Sequence, residues 1–167
     1  QPTTFWYMLY TVTNDTGADQ EFFPEFLLYT DTGQVLISDG AGVPTGAFLA
    51  IQKLQNAPLL MNKTEITGRL LQGEDNAKQG VAIWPDFDHK ARKIDLFIKG
   101  LSGERESVKL PLPVTETVTG EDGKPQQVTK TLVVLSKTLK LSYSVAGEAA
   151  SRKLRKPKLM AETWVMR

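Results

Sequence analysis

The chain has 167 residues, with 20 basic and 19 acidic side chains and a formal net charge of +1. Proteins that bind duplex nucleic acid usually carry a strongly basic domain, so this balance argues against a nucleic acid partner. Cysteine is absent, which excludes disulfides, thiolate catalysis and cysteine-based zinc sites. No apolar run reaches the roughly 18 residues that would predict a membrane span. The length predicts a single domain, residues 1–167, that is large enough to bury a core.

The start of the chain and its composition suggest the compartment. Gln1 is not preceded by Met, and neither a basic segment nor an apolar leader comes before the first strand. This predicts either a trimmed chain or a mature chain after signal removal. Thr-rich strands and few long helical patterns are typical of extracytoplasmic modules, so we expect a secreted or cell-envelope location.

The first predicted strand, residues 4–13, carries aromatic, β-branched and large apolar side chains on both of its faces. A strand covered on one side only should alternate apolar with polar residues. We therefore expect this strand to be central in a sheet, or to be covered on its second face by another element. Asn14-Asp15-Thr16-Gly17 ends it, because Asn and Asp bond their own backbone and Gly accepts a positive φ.

Apolar runs and turn signals alternate along the rest of the chain. A hairpin is predicted around Asp31-Thr32-Gly33, with its first strand starting at or after Pro24. Helical spacing of apolar residues predicts one short helix near residues 44–56. Further extended segments are predicted over residues 64–71, 81–85, 94–98, 108–114, 115–119, 127–134, 135–145 and 160–166.

Two segments of the second half carry sharper expectations. Apolar residues alternate with polar ones near residue 140, which predicts that four side chains face the core: Leu139, Leu141, Tyr143 and Val145. Before them, a hairpin around residues 120–125 is expected to project from the body. Its predicted threonine ladder places Thr117 opposite Thr129 and Thr115 opposite Thr131. Because two strands alone bury too little surface, this hairpin must pack on its own domain or on a neighbour, and in the second case it supplies an interaction surface.

Together these elements predict an all-β fold, an antiparallel β-sandwich with one short helical insertion. The opening strand followed by Asn14-Asp15-Thr16-Gly17, together with Gly100-Leu101-Ser102-Gly103 after a later strand, resembles immunoglobulin-like domains of uncharacterised bacterial envelope and secreted proteins. The Cys…Trp…Cys signature of antibody-type domains is absent. The resemblance implies an immunoglobulin-like sandwich with a structural or interaction role.

Asp15-Thr16-Gly17-Ala18-Asp19 is similar to the catalytic loop of retroviral-type aspartic proteases, and Ile66-Thr67-Gly68-Arg69 is similar to a later stretch of that family. In those enzymes two carboxylates share a proton and activate water. Here Thr13-Asn14 replaces the apolar pair that precedes the Asp, and Asp31-Thr32-Gly33 repeats the tripeptide at a second turn. We therefore interpret both tripeptides as turns, assign no catalytic residue, and keep hydrolysis at Asp15 as a third hypothesis.

Asp86, Asp88 and His89 offer oxygen and imidazole ligands, but a metal site needs at least three convergent ligands. No partner with recognisable spacing is present, so we interpret this stretch as an Asx-type turn and predict neither a metal nor a cofactor. Asn14 and Asn62 each begin an N-glycosylation sequon, which places both in expected surface turns.

Two surfaces are candidates for partners. A basic run is either a solvated loop or a contact for an anionic envelope polymer, and it comprises Arg152, Lys153, Arg155, Lys156 and Lys158. The hairpin threonines, Thr115, Thr117, Thr129 and Thr131, are the other candidate contacts. We predict a non-catalytic structural or interaction module that binds a protein partner or assembles through edge strands. The alternative is carbohydrate or ligand binding by Trp6, Trp84 and Trp164, although their apolar surroundings favour the core.

Overall fold

The computed structural model describes residues 4–121, 123–147, 152 and 155–167. Its strands are β1 (Phe5–Val12), β2 (Gln20–Phe22), β3 (Glu25–Thr30), β4 (Val35–Ile37), β5 (Gly68–Leu70), β6 (Lys78–Pro85), β7 (Lys93–Lys99), β8 (Arg105–Thr119), β9 (Pro125–Ser144) and β10 (Lys158–Met166). The helices are α1 (Ala47–Leu54) and α2 (Lys63–Ile66), and a 3-10 turn covers Glu74–Asn76. The described chain is mostly β, as the sequence predicts.

Antiparallel pairing joins these strands into sheets. The largest has the order β10–β9–β7–β3–β4, and β8 adds to it by pairing with the first part of β9. β1 and β6 form a two-stranded ribbon, and β2 and β5 form a second, smaller one. The predicted antiparallel architecture is confirmed at this level.

The main core lies between the largest sheet and the β1–β6 ribbon. The sheet contributes buried side chains from β3 and β7, and the ribbon contributes Ala82 and Trp84 of β6. Val145 is buried in this cluster, and three residues of β9 pack against it: Leu139, Leu141 and Tyr143. The predicted core-facing alternation is therefore confirmed. Because the largest sheet and the β1–β6 ribbon share one core, their packing fixes the position of the edge strands of both.

The β1–β6 ribbon is covered on both faces. Trp6 and Met8 of β1 pack against the main core, while Phe5 and Tyr7 pack on a second cluster. That second cluster contains the buried side chains of helix α1, Ala47 and Ile51, together with Leu60, Val81 and Ile83. The two-faced apolar pattern of β1 is thus explained, and the predicted short helix is the element that covers its second face.

The strand predicted over residues 64–71 is wrong in its first half, where α2 forms instead. The Asn62 side chain accepts a hydrogen bond from the Glu65 N–H at 3.0 Å, and the Glu65 carboxylate accepts one from the Asn62 N–H at 2.9 Å. This reciprocal capping box satisfies two backbone donors that a helix start leaves open. The β-branched Thr64, Ile66 and Thr67 favour a strand locally, but the capping box stabilises a helix here.

The long hairpin, called the arm below, consists of β8 and residues 125–136 of β9. Thr115 lies opposite Thr129, with their hydroxyl oxygens 3.2 Å apart, and Thr117 lies opposite Gln127. The predicted pairing of Thr117 with Thr129 and of Thr115 with Thr131 is therefore wrong by two residues. The turn is shorter than expected, because Pro125 already pairs with Thr119.

Candidate functional site

The arm exposes many large apolar side chains. Among the described residues, β8 pairs with no strand other than β9. Seven large apolar side chains of the arm are between 37% and 75% exposed, namely Val108, Leu112, Val114, Val128, Leu132, Val133 and Val134. Exposed apolar side chains in this number on one hairpin are typical of a protein interaction site.

The outer edge of β8 is blocked by proline. Lys109 pairs with Leu132 and Val114 pairs with Lys130, so β8 bulges between these two points. Pro111 and Pro113 lie in the bulge. Proline has no N–H to donate and is a common device that keeps an edge strand from adding another strand. A partner strand cannot form a continuous ladder along this edge.

The opposite edge of the arm has no such protection. Residues 126–135 of β9 pair with β8 on one side, and no strand of the described chain pairs with their other side. This stretch contains no proline, and Lys130 is its one charged residue. An edge lysine normally discourages strand addition. Here the Lys130 ammonium is ion-paired across the arm with the Glu116 carboxylate, so its charge is partly neutralised.

A second candidate surface is a groove of about 850 Å³ along β1, which pairs with no described strand other than β6. Residues 4–9 form one wall of this groove, and inner-face side chains of the large sheet, including Leu96 and Tyr143, form the floor. Burial raises the pKa of the Tyr143 phenol, and the nearby Glu162 carboxylate raises it further. The groove thus combines an apolar floor with the edge of a strand.

Trp6 is held in place at the rim of the groove. Its indole N–H donates to Asp86 Oδ1 at 2.8 Å, and its ring stacks on Phe87 with the ring centroids 4.9 Å apart. The Arg152 guanidinium lies 5.4 Å from the centre of the Phe87 ring. These contacts fix the orientation of the aromatic wall.

The predicted basic run divides into structural and exposed parts. Arg152 is buried, and its guanidinium donates to the carbonyl oxygens of Ala146 (3.1 Å), Asp88 (3.0 Å) and Ala91. The guanidinium N–H groups of Arg152 therefore stabilise the fold. Lys153 lies outside the described residues. The remaining three residues of the run are exposed, and the first two of them line the groove: Arg155, Lys156 and Lys158.

Both Asp-Thr-Gly tripeptides lie in turns with glycine at positive φ, +89° at Gly17 and +90° at Gly33. The Asn14 side chain accepts from the Thr16 N–H at 3.1 Å, which closes the first turn. In the second, the Asp31 carboxylate accepts from the N–H groups of Arg92 and Lys93. Both tripeptides therefore lie in turns, as the sequence predicts, and the first is an Asx-type turn headed by Asn14.

The Asp86–His89 stretch also forms a turn. Asp88 Oδ1 accepts from the Lys90 N–H at 2.9 Å, and this hydrogen bond holds the pKa of the Asp88 carboxyl below its usual range. His89 lines the groove. Within the described part of the chain, no three His, Asp or Glu side chains converge to form a metal site.

The sequons and tryptophans are placed differently from one another. Asn14 is 3% exposed, and its amide donates to the carbonyl oxygens of Ala18 and Leu70, so it does not lie on the surface.

The prediction that the tryptophans lie in the core is confirmed for Trp84, which is 2% exposed. It is wrong for Trp164, which lies on the edge strand β10 and is 47% exposed.

Comparison with protein-family models, curated proteins and solved structures finds no match for this chain. We therefore infer the function from the two surfaces described above, the arm and the groove. None of the helices in the described residues has the length and apolar character needed to cross a membrane.

Proposed function

We propose that this chain is a non-catalytic structural or interaction module of the cell exterior that assembles through edge strands. The observation that carries the proposal is the unpaired edge of β9 at residues 126–135, beside a β8 edge that proline blocks. An unprotected edge presents a row of free N–H and C=O groups that another strand can pair with. A two-stranded arm is marginally stable in water, which favours an arrangement in which it gains a partner.

An immunoglobulin-like sandwich is part of the same proposal. The packing of the β1–β6 ribbon on the larger sheet supports it, because two antiparallel layers then enclose one core. The extracytoplasmic location is supported by composition, namely Thr-rich strands with few long helices. An anionic envelope polymer is proposed as a further partner of Arg155, Lys156 and Lys158.

Trimming the arm tests the assembly role. Lys109 and Leu132 are cross-strand partners, so an Asn-Gly link between them closes a short hairpin and removes the turn, the bulge and most of the free edge. Light scattering should show self-association for the intact chain and none for the trimmed chain, with unchanged circular dichroism of the body. Equal association of the two chains would refute an assembly role for the arm.

Ligand or carbohydrate binding in the groove is the second candidate. The volume of about 850 Å³ and the aromatic wall containing Trp6 are the observations that favour it, since small-molecule sites have this size and character. Titration with soluble oligosaccharides, followed by tryptophan fluorescence, tests it. Saturable binding that Trp6→Ala abolishes would support this function. Tryptophan fluorescence that does not change during the titration would contradict it.

Hydrolysis by Asp15 is the third hypothesis. Asp15 is exposed in a turn, and the other Asp-Thr-Gly carboxylate, that of Asp31, is bound by backbone N–H groups. We expect Asp15→Asn to leave the fold intact and to change no activity. Cleavage of unstructured peptides at acid pH by the natural chain, lost in Asp15→Asn, would establish the enzyme instead.

A further inference from the structure

We infer that the partner of the arm is the arm of a second copy of this chain, paired antiparallel through the two β9 edges about a two-fold axis. This inference rests on the proposed assembly function and names its partner and geometry. The resulting ribbon has the strand order β8–β9–β9–β8. Its two outer edges are the β8 edges that carry Pro111 and Pro113.

The free edge begins where the ladder of the body ends. β10 pairs with β9 as far as Lys137, and Ser136 then exchanges two backbone hydrogen bonds with Arg167. From residue 135 to residue 126 the same edge of β9 has no partner among the described strands. Ten residues of extended chain span about 34 Å. A second strand added here continues the line of β10 outward from the body.

The composition of this edge favours pairing with itself. Residues 126–135 are rich in β-branched side chains, lack proline and hold one charge, which Glu116 partly neutralises. Short segments of high β-propensity and low net charge are the ones that self-pair. Like charges that face each other across a two-fold axis normally oppose dimerisation. In this edge the Lys130–Glu116 pair reduces that repulsion.

A two-fold pairing also explains why only one edge is protected. Two identical antiparallel edges satisfy each other, and this isologous contact closes after two copies. Growth beyond the dimer would need the β8 edges, and Pro111 and Pro113 interrupt them. Four strands form a ribbon that is stable in water where two are marginal. The blocked and open edges together specify a dimer and disfavour an open fibre.

Single cysteines test this geometry, because the chain has no cysteine of its own. Cysteine is introduced one position at a time from Gln127 to Val134, each variant is oxidised, and neighbouring variants are also mixed in pairs. Identical residues two steps from a two-fold axis are too far apart to form a disulfide. Dimer yield should therefore peak at one variant, or at one mixed neighbouring pair, by about tenfold over positions two residues away. The control is Leu112→Cys on β8, which is 75% exposed and should not cross-link.

Each other outcome overturns the inference in a distinguishable way. Equal cross-linking at every position would mean parallel, in-register stacking. Efficient cross-linking of Leu112→Cys would place the contact on the β8 edge. If the chain associates in light scattering without any cross-link in the arm, the two-fold pairing is wrong but an assembly role through another edge survives. If the chain neither associates nor cross-links, both the inference and the proposed assembly fail.

Discussion

Ser136 and Arg167 exchange two backbone hydrogen bonds, with the Ser136 N–H 2.7 Å from the Arg167 carbonyl oxygen and the Arg167 N–H 3.1 Å from the Ser136 carbonyl oxygen. The Arg167 guanidinium also lies over the rings of Tyr29 (4.4 Å) and Phe97 (4.2 Å). These contacts tie β10 to the body at the position where β9 continues into the arm. One strand therefore serves the core on one side of Ser136 and offers a free edge on the other.

The two halves of β9 should respond differently to truncation. Leu141 packs against the main core, so Leu141→Ala should lower the free energy of unfolding by about 2 kcal/mol, the low end for a truncated core leucine. Leu132→Ala on the same strand is the control. Leu132 is 54% exposed, and its change should stay within about 0.5 kcal/mol. Denaturant melts measure both, and equal effects would contradict the division of β9.

Arg152 should behave as a structural residue. Its buried guanidinium satisfies the carbonyl oxygens of Asp88, Ala91 and Ala146, and Arg152→Ala leaves these acceptors without it. We expect a loss of at least about 2 kcal/mol in the free energy of unfolding. Arg152→Lys should be similarly destabilised, since lysine lacks the planar fork of donors. Arg155→Ala is the exposed control, and a loss there as large as in Arg152→Ala would contradict this division.

Asp39 should destabilise the fold at neutral pH. Burial raises the pKa of its carboxyl, against the opposing effects of Ser38 and Lys63. A raised folded-state pKa means that the acid's contribution to stability is full below its unfolded pKa and is lost as pH rises through the folded one. Asp39→Asn removes this loss, and Asn also tolerates the φ of +56° at this position. The stability advantage of Asp39→Asn over the natural chain should therefore grow between acid and neutral pH.

Asp19 provides the control of opposite sign. Hydrogen bonds from the Arg69 side chain and the Gln72 N–H hold the pKa of the Asp19 carboxyl below its usual range. Its contribution to stability is therefore present above the unfolded pKa and is lost as pH falls through the folded one. Asp19→Asn should show its disadvantage at neutral pH and lose it in acid. Parallel pH profiles for Asp39→Asn and Asp19→Asn would contradict both assignments.

The exposed part of the basic run should bind anionic polymers through charge alone. Removing Arg155, Lys156 and Lys158 together should abolish binding to an acidic polysaccharide at low ionic strength. Binding by the natural chain should weaken steeply as salt is added, because exposed charges are screened within about 10 Å at 0.1 M salt. If binding is absent at low salt, or does not respond to added salt, the basic run is a solvated loop and not a contact for an anionic polymer.

Local patterns predicted much of the fold. The apolar residues on both faces of β1 predicted a covering element, which is α1. The Asp-Thr-Gly stretches predicted turns. Residues 63–66 form a helix and not the predicted strand because the Asn62–Glu65 capping box, whose spacing is visible in the sequence, stabilises a helix start there. The register of the arm depends on a turn that is two residues shorter on the Pro125 side than predicted, which composition does not specify.

The candidate surfaces were harder to predict than the strands. The groove joins residues 4–9 to Leu96 and Tyr143, which are distant in sequence and meet only through sheet packing. The burial of Arg152 likewise depends on carbonyl groups 61 and 64 residues away. The edge of β9 that no described strand pairs with is visible only once the pairing of β9 with β8 and β10 is known. Prolines at 111 and 113 were readable as edge residues, but the contrast with the bare opposite edge appears only in the folded chain.

Sedimentation velocity of edge-charge variants tests the central claim most directly. Leu132→Lys combined with Val134→Lys places two unpaired charges beside the open edge, and Leu112→Lys combined with Val114→Lys places the same charges on β8. All four side chains are exposed, so neither variant should disturb the core. We expect a dimer for the natural chain and for the β8 variant, and a monomer for the β9 variant. A dimer that persists in the β9 variant and dissociates in the β8 variant would contradict pairing through the β9 edge.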